Sequence, residues 1–133
     1  MDRYPALAID LTEQIIGCAI EVHRHLGPGL LESVYESALC IELRAARLPF
    51  VQQIGIPLFY KGELIAEHRP DLIIRNEVVV EIKSAERFNP VFLAQMLTYL
   101  RVTGLQVGLI LNFNRAVMKD GVRRVSFQAA LRL

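Results

Sequence analysis

Two acidic residues and a lysine have types and spacing that could bind a divalent cation and act on a phosphodiester. Asp71 follows Pro70 within one apolar stretch, and Glu81 and Lys83 lie near the end of the next. Mg²⁺ takes oxygen ligands in proteins and keeps several waters, so two carboxylates could hold it at an open site. A nearby lysine could hold the nucleophile or neutralise charge that develops on a phosphate. The residue types are therefore consistent with metal-assisted hydrolysis.

These residues lie on two predicted strands that a short turn joins. If the turn holds three residues, position 71 lies opposite position 81. If it holds two, Pro70 is the partner of Glu81, and Asp71 is a diagonal neighbour. Either register leaves the β-carbons of the two carboxylates roughly 5–8 Å apart. Glu81 and Lys83 are two positions apart on one strand, so they point to the same face.

The strand that carries Glu81 is otherwise apolar, because Val78, Val79 and Val80 precede it. Such a run is typical of a central strand that is covered on both faces. Unpaired charges are strongly disfavoured there, and a bridging cation would remove the conflict between the acids. An ion-pair cluster of Asp71, Glu81 and Lys83 would also explain the pattern. Spacing alone does not decide between a metal site and a structural salt bridge.

Helix and strand patterns predict one α/β domain over residues 1–133. Apolar residues at helical spacing, ended by Gly27-Pro28-Gly29, predict a first helix from Ala6 to Leu26. Asn89 and Pro90 are typical of a helix start. The other predicted elements are a helix at about 30–47, strands at 51–60, 64–74, 78–83 and 106–112, a helix at 91–103, and a hairpin of 116–118 with 123–127. The predicted order is α-α-β-β-β-α-β-β.

The charge balance argues against a protein that grips a duplex mainly by its phosphates. The chain has 15 Lys and Arg against 14 Asp and Glu, a net charge of +1. Phosphate neutralisation supplies most non-specific affinity for nucleic acid, and such proteins usually carry a basic excess. The composition therefore indicates a local basic groove, a metal-mediated contact or weak intrinsic binding. A partner protein or another copy of the chain would then supply specificity.

The same composition indicates a soluble cytoplasmic protein. The N-terminus has no basic-then-apolar signal layout, and no apolar run approaches about 18 residues. Cys18 and Cys40 lie in apolar helical stretches without a CxxC pair, which favours buried thiols in a reducing compartment. The high apolar content makes homo-oligomerisation plausible, through residues near strand or helix ends such as Leu58, Phe59, Phe88, Phe92 and Phe113.

Several ordered motifs extend over most of the chain, from about Ile15 to Phe127. They are Glu21-Val22-His23, Leu26-Gly27-Pro28-Gly29, Leu30 to Tyr35, Tyr60-Lys61-Gly62, Pro70-Asp71, Glu81-Ile82-Lys83, Gln95 with Tyr99, and Gly108 to Phe113. In this series the sequence resembles the GxxExxY family, a group of small bacterial and archaeal proteins assigned to the PD-(D/E)XK nuclease superfamily. Several motifs in order are more specific than any one of them.

The resemblance implies a restriction-endonuclease-like core, with a central mixed sheet flanked by helices. It implies that Asp71, Glu81 and the backbone carbonyl of Ile82 ligate Mg²⁺ or Mn²⁺, with Glu32 as a further candidate ligand. Lys83 would serve the hydrolytic step, and Gln95 would border the site. The implied activity is hydrolysis of nucleic-acid phosphodiester bonds, with DNA favoured over RNA and no membrane partner.

Each residue that would complete this site also has a purely structural interpretation. Glu32 lies in the first turn of a predicted helix, where the helix dipole itself favours a carboxylate. Gln95 could simply tie its helix to the sheet, Tyr99 could be a core residue, and Glu36 could lie on a solvated face. The rival to an enzyme is a non-catalytic assembly or binding module that retains the fold. A nucleotide-binding domain is disfavoured, because no glycine-rich phosphate loop follows any predicted strand.

Overall fold

The computed structural model describes residues 3–127, with side chains from residue 10 onward. Within this range the chain forms α1 (Arg3–Leu26), α2 (Glu32–Ala45), α3 (Pro90–Thr103) and a short 3-10 helix (Met118–Gly121). The strands are β1 (Phe50–Gln52), β2 (Ile56–Tyr60), β3 (Glu63–His68), β4 (Leu72–Ile74), β5 (Val78–Lys83), β6 (Val107–Asn112) and β7 (Val122–Ser126). No helix in the described range is long and apolar enough to cross a membrane.

A five-stranded mixed sheet lies at the centre of the domain, in the order β1-β4-β5-β6-β7. β5 and β6 are parallel and are joined by α3, whereas the other neighbouring pairs are antiparallel. β2 and β3 form a separate two-stranded hairpin. The α/β architecture with a mixed central sheet is the one predicted, and β5 is its middle strand.

Helices cover both faces of this sheet because β5 and β6 are apolar on both sides. Val78, Val80 and Ile82 pack into a core with α1 and α2. Val79 belongs to a second core on the opposite face, which α3 covers through Met96, Tyr99 and Leu100. Glu81 lies on the same side of β5 as Val79, since strand side chains alternate. The sheet therefore carries its two charged β5 residues toward α3.

Two long predicted strands are each divided in the structure, and five strands therefore precede α3. The stretch 51–60 breaks between β1 and β2, where Gln53 has a positive φ of 51°. The stretch 64–74 breaks at Arg69 and Pro70, since proline has no N–H to donate to a neighbouring strand. Each break transfers the chain between the hairpin and the central sheet. Asp71 lies at the second transfer point.

The predicted hairpin of 116–118 with 123–127 is wrong. Met118–Gly121 forms the 3-10 helix, and β7 pairs with β6 instead. Gly121 packs so closely on the main chain of Asn112 that a Cβ would lie 1.9 Å from its carbonyl oxygen. This approach folds the segment onto the end of β6, which leaves no partner strand for a local hairpin.

Candidate active site

Asp71 and Glu81 face each other across the β4–β5 hairpin. Leu72 pairs with Val80 and Ile74 with Val78, so the turn holds three residues and position 71 is next in register with position 81. The backbone N–H of Asp71 donates to Glu81 Oε2 at 2.6 Å, and the N–H of Ile82 donates to Asp71 Oδ2 at 2.8 Å. These crossed hydrogen bonds fix both carboxylates together, where β4 begins and β5 approaches its end.

The environment of Glu81 disfavours its charge. The residue is only 4% exposed. Burial raises the pKa of its carboxyl to about 8, and the charges of Asp71 and, more weakly, Glu32 contribute to the increase. The hydrogen bond from the Asp71 backbone and the Lys83 ammonium act in the opposite direction. A cation bound beside two acids that are this close would stabilise their charged forms.

Lys83 lies between the acid pair and α3. Its Nζ is 3.8 Å from Glu81 Oε1 and donates to Gln95 Oε1 at 3.2 Å. It also lies 4.7 Å from the ring centroid of Phe92, where the aromatic face attracts a cation. Its side chain is 15% exposed, so the ammonium is held in place yet reaches the surface of the site.

Gln95 both borders the site and ties α3 to the sheet, so the two interpretations of this residue are compatible. Its oxygen accepts the Lys83 bond, and its side chain also hydrogen-bonds to Tyr99. Tyr99 is buried, as expected for a core residue. Burial and the charges of Glu81 and Asp71 raise the pKa of the Tyr99 hydroxyl to about 12, so it stays protonated.

A cleft with acidic walls lies on the other side of Asp71. Its lining comprises Leu30, Leu31, Glu32, Ser33, Glu36, Asp71 and Ser84. Glu32, the first residue of α2, is exposed here. The structure places it in the same cleft as Asp71 but leaves its role as a ligand a prediction. Within the described residues, no group of three or more His, Cys, Asp or Glu side chains is arranged to hold a metal ion.

Gln53 and Glu36 were not predicted as site residues. The Gln53 amide donates to Asp71 Oδ1 at 3.1 Å and to both Glu36 carboxylate oxygens at 3.2 Å. Glu36 also accepts from Gln52 at 3.0 Å, so it is more than a solvated helix residue. The adjacent amides of Gln52 and Gln53 were a weak sequence signal. The positive φ that turns Gln53 toward Asp71 was not readable from the sequence.

Tyr35 shapes the loop that borders the acidic cleft. Its hydroxyl donates to the Gly27 carbonyl at 2.6 Å and accepts from the Leu30 N–H at 3.1 Å. Its ring is fully buried and stacks on Phe113, with centroids 4.5 Å apart. The Ser84 hydroxyl donates to the Leu30 carbonyl at 2.6 Å, which joins this loop to the end of β5. Tyr35 is thus a core residue that holds the loop beside the candidate site in place.

Several arginines and histidines outside the site have structural contacts. Arg115 Nη1 donates to the Glu86 carbonyl at 2.9 Å, and His23 Nε2 lies 2.7 Å from the Arg115 carbonyl oxygen. Arg123, on the edge strand β7, lies 3.8 Å from the Phe88 ring centroid. Glu21 and His25, four residues apart on one helix face, pair at 2.9 Å. Cys18 and Cys40 are free and buried, and burial raises the pKa of each thiol.

The donor set suits a hard divalent cation. Asp71 and Glu81 offer carboxylate oxygens close together at the ends of β4 and β5. Each carboxylate already has one oxygen oriented by a backbone N–H. Two carboxylates fit Mg²⁺ or Mn²⁺, which bind few protein ligands and retain waters. The residues therefore fit a partly hydrated ion.

Comparison with protein-family models gives a match to the PD-(D/E)XK nuclease superfamily over residues 9–125. Neither the curated proteins nor the solved structures gave a match. The matched range includes most of α1, all of α2 and α3, the Asp71–Glu81 pair and Lys83. From this match over most of its length, the chain belongs to the PD-(D/E)XK nuclease superfamily.

Proposed function

We propose that this protein is a Mg²⁺- or Mn²⁺-dependent enzyme that hydrolyses phosphodiester bonds in nucleic acid, and that it belongs to the GxxExxY branch of its superfamily. One observation carries the proposal. The crossed hydrogen bonds of Asp71 and Glu81 place two carboxylates together, and Lys83 lies 3.8 Å from the second of them. The superfamily match supports a nuclease-like function for this arrangement.

Asp71 and Glu81 would hold the cation, with the Ile82 carbonyl as a further ligand and Glu32 at the outer side. When bound, the metal would supply an activated water and would stabilise negative charge on the phosphate. Lys83, held by Gln95 and by the Phe92 ring, would orient the nucleophile or neutralise developing charge. Gln95 is a positioning residue, because it acts through Lys83.

The first experiment separates metal binding from hydrolysis. Calorimetric titration of Mg²⁺ and Mn²⁺ should show binding to the wild type, and Glu81→Gln should weaken it by at least about tenfold, since it removes one of two charged ligands. Labelled single- and double-stranded DNA and RNA should be cut in the presence of either metal. Lys83→Met should abolish cutting yet retain metal binding, because it keeps the apolar stem and removes only the ammonium.

Lys119→Met is the matched control. Lys119 is exposed in the 3-10 helix, away from β5, so its loss should leave both metal binding and cutting unchanged. Failure to bind either metal and to cut any substrate would contradict the proposal. That result would instead support the non-catalytic assembly or binding module, in which Asp71, Glu81 and Lys83 form a structural ion-pair cluster.

The net charge of the chain does not explain how it would hold and select nucleic acid, so another source is needed. With a charge of +1, phosphate contacts alone give weak affinity, so a partner protein or a second copy would help to hold DNA. The site lysine, Lys83, is already engaged by Gln95, and Arg69, two residues before Asp71, is engaged by the Gln53 carbonyl. Cutting by the isolated protein is therefore expected at low ionic strength first, where screening is weakest.

A further inference from the structure

A second, mostly apolar cleft lies on the α3 side of Lys83. Its volume is about 370 Å³, which is within the range of small-ligand sites. The lining residues come from the end of β3, the end of β5 and one face of α3: His68, Lys83, Val91, Phe92, Ala94, Gln95 and Thr98. Only Lys83 among them belongs to the proposed hydrolytic machinery itself, with Gln95 holding it. The cleft is distinct from the acidic cleft beyond Asp71.

The groups in this cleft suit a flat, weakly polar ring. One face of the Phe92 ring already meets the Lys83 ammonium, so the rest of that ring and the His68 ring supply aromatic surface, and Val91, which is 60% exposed, supplies an aliphatic one. Among the described residues none hydrogen-bonds to the His68 imidazole, whose ring contacts Tyr99 edge-on. The His68 nitrogens and the Thr98 hydroxyl oxygen can therefore meet the polar edge of a ligand. Stacking surfaces with a few hydrogen-bonding groups are the means by which proteins hold single-stranded bases.

The charges around the site orient such a ligand. Glu32, Glu36 and Asp71 line the acidic cleft, which repels the phosphate backbone unless a cation is bound. Lys83 lines the apolar cleft, with its ammonium beside Phe92 and Gln95. A phosphate beside Lys83 would thus place the base attached to it toward Phe92 and away from the carboxylates. The acidic cleft and the apolar cleft thus lie on different sides of the Glu81–Lys83 pair.

We propose that the cleft beside Lys83 binds one unstacked nucleobase, so that the substrate is a single-stranded nucleic acid. This inference rests on the proposed function for the identity of the substrate, and it adds the strandedness and the place of one base. A paired base lies inside the helical stack and would have to be extruded to enter the cleft, which costs free energy. Base stacking would also supply affinity that a net charge of +1 does not.

Ala94→Phe tests the cleft without altering Lys83 or Gln95. Ala94 is exposed on α3, so a phenyl group there should fill the cleft while the helix persists. Leu93→Phe is the matched control, since Leu93 lies on the same turn, is 38% exposed and does not line the cleft. Thr98 also lines the cleft, one turn after Ala94 on α3. Thr98→Leu therefore fills the cleft as well and replaces Ala94→Phe in the test if that variant unfolds. Thermal melting verifies the fold of each variant.

Binding is measured by fluorescence anisotropy with a labelled oligothymidine and with a blunt duplex, in Ca²⁺ at low salt. The wild type should bind the single strand at least about tenfold more tightly than the duplex, and Ala94→Phe should remove about tenfold of that affinity. Leu93→Phe should bind as the wild type does. In NMR spectra, thymidine monophosphate should shift the backbone signals of Val91, Ala94 and Thr98.

Equal binding of duplex and single strand, equal behaviour of Ala94→Phe and Leu93→Phe, or no binding of either nucleic acid would overturn the inference. Metal-dependent cutting by the wild type that Ala94→Phe leaves unchanged would overturn the base site and leave the proposed function standing. Binding with the expected pattern but without cutting in Mg²⁺ or Mn²⁺ would support the base site and contradict the proposed function.

Discussion

At the scale of single residues, Glu81 is a candidate site residue whose position lowers the stability of the fold. Its carboxyl is buried in the middle strand of the sheet, next to a second acid. Lys83 is the nearest cation, at 3.8 Å, and it also interacts with Gln95 and Phe92. An apolar or neutral residue would suit this position better if stability were the only requirement. A charged residue here is expected where binding or catalysis needs it.

Glu81→Gln should stabilise the metal-free protein, and more at pH 8 than at pH 5. The folded state retains a proton on Glu81 up to about pH 8, whereas the unfolded chain releases it near 4.5. Between these values the folded state binds more protons, so the wild type loses stability as the pH rises. Glutamine does not titrate, and it should raise the free energy of unfolding by on the order of 1–2 kcal/mol at pH 8. Urea unfolding in EDTA at both pH values measures this difference.

Glu63→Gln is the control for this measurement, because Glu63 is exposed at the start of β3. It should leave the unfolding curves unchanged at either pH. Addition of Mg²⁺ should then stabilise the wild type at pH 8 but not Glu81→Gln, since bound ligand favours the folded state. A Glu81→Gln variant that is less stable than the wild type at pH 8 would show that the carboxylate is satisfied without a cation.

The sequence predicted Asp71, Glu81 and Lys83 as neighbours because strand geometry is regular. Alternation puts residues 81 and 83 on one face, and a short turn limits the possible partners of residue 81. Gln53 was beyond such reasoning, since its contact with Asp71 depends on a left-handed backbone between β1 and β2. Phe92, three residues before Gln95 on α3, was within reach of helical spacing, but its cation contact with Lys83 needed the packing of α3 on β5.

At the scale of elements, the loop between α1 and α2 is held by one side chain. Tyr35 lies one turn into α2 and reaches back to Gly27 and Leu30. Gly27 and Gly29 have φ values of 70° and 94°, which allow the chain to reverse here without strain. The loop then meets Ser84 just after β5. A change at Tyr35 is therefore expected to affect the acidic cleft as well as the core.

Tyr35→Phe should lower the free energy of unfolding by about 0.5–1.5 kcal/mol, because the part-buried Gly27 carbonyl and Leu30 N–H lose their hydrogen-bond partner. The ring stack on Phe113 would persist, so the fold should survive. Chemical denaturation gives the free energy, and hydrogen exchange at Leu30 reports the loop. Tyr60→Phe, at an exposed tyrosine in the hairpin, should change neither. Unaltered exchange at Leu30 would show that the loop is held by other contacts.

Prediction of elements failed where a strand changes sheets. The alternation of 51–60 and of 64–74 is continuous enough to suggest two long strands, yet each is shared between the hairpin and the central sheet. Pro70 marked one break, because proline has no N–H to donate to a neighbouring strand. Nothing in the types of residues 53–55 other than Gly55 indicated the other break. By contrast, the Asn89 cap, which accepts from the Val91 N–H at 2.9 Å, made the start of α3 predictable.

At the scale of the whole molecule, the β2–β3 hairpin stands apart from the central sheet. It pairs with no other strand in residues 3–127. Its large apolar side chains are exposed, with Phe59 at 57%, Tyr60 at 60%, Leu64 at 63% and Ile65 at 58%. By contrast Phe113, which was expected near the surface, is fully buried. A two-stranded hairpin gains stability when another strand or surface covers it, and its open edges can accept one.

We expect the hairpin to join two copies of the chain, since Leu64 and Ile65 expose large apolar groups where the β2–β3 register is irregular. Sedimentation velocity should show a dimer at micromolar concentrations, and Ile65→Lys should shift it to a monomer with an unchanged circular dichroism spectrum. Ala66→Lys, which adds the same charge at the next exposed position, should weaken association less because alanine contributes little apolar area. Monomeric wild type at all concentrations would contradict self-association. The hairpin would then be free to meet a different protein, whose contacts would add to the weak phosphate affinity of a chain with a net charge of +1.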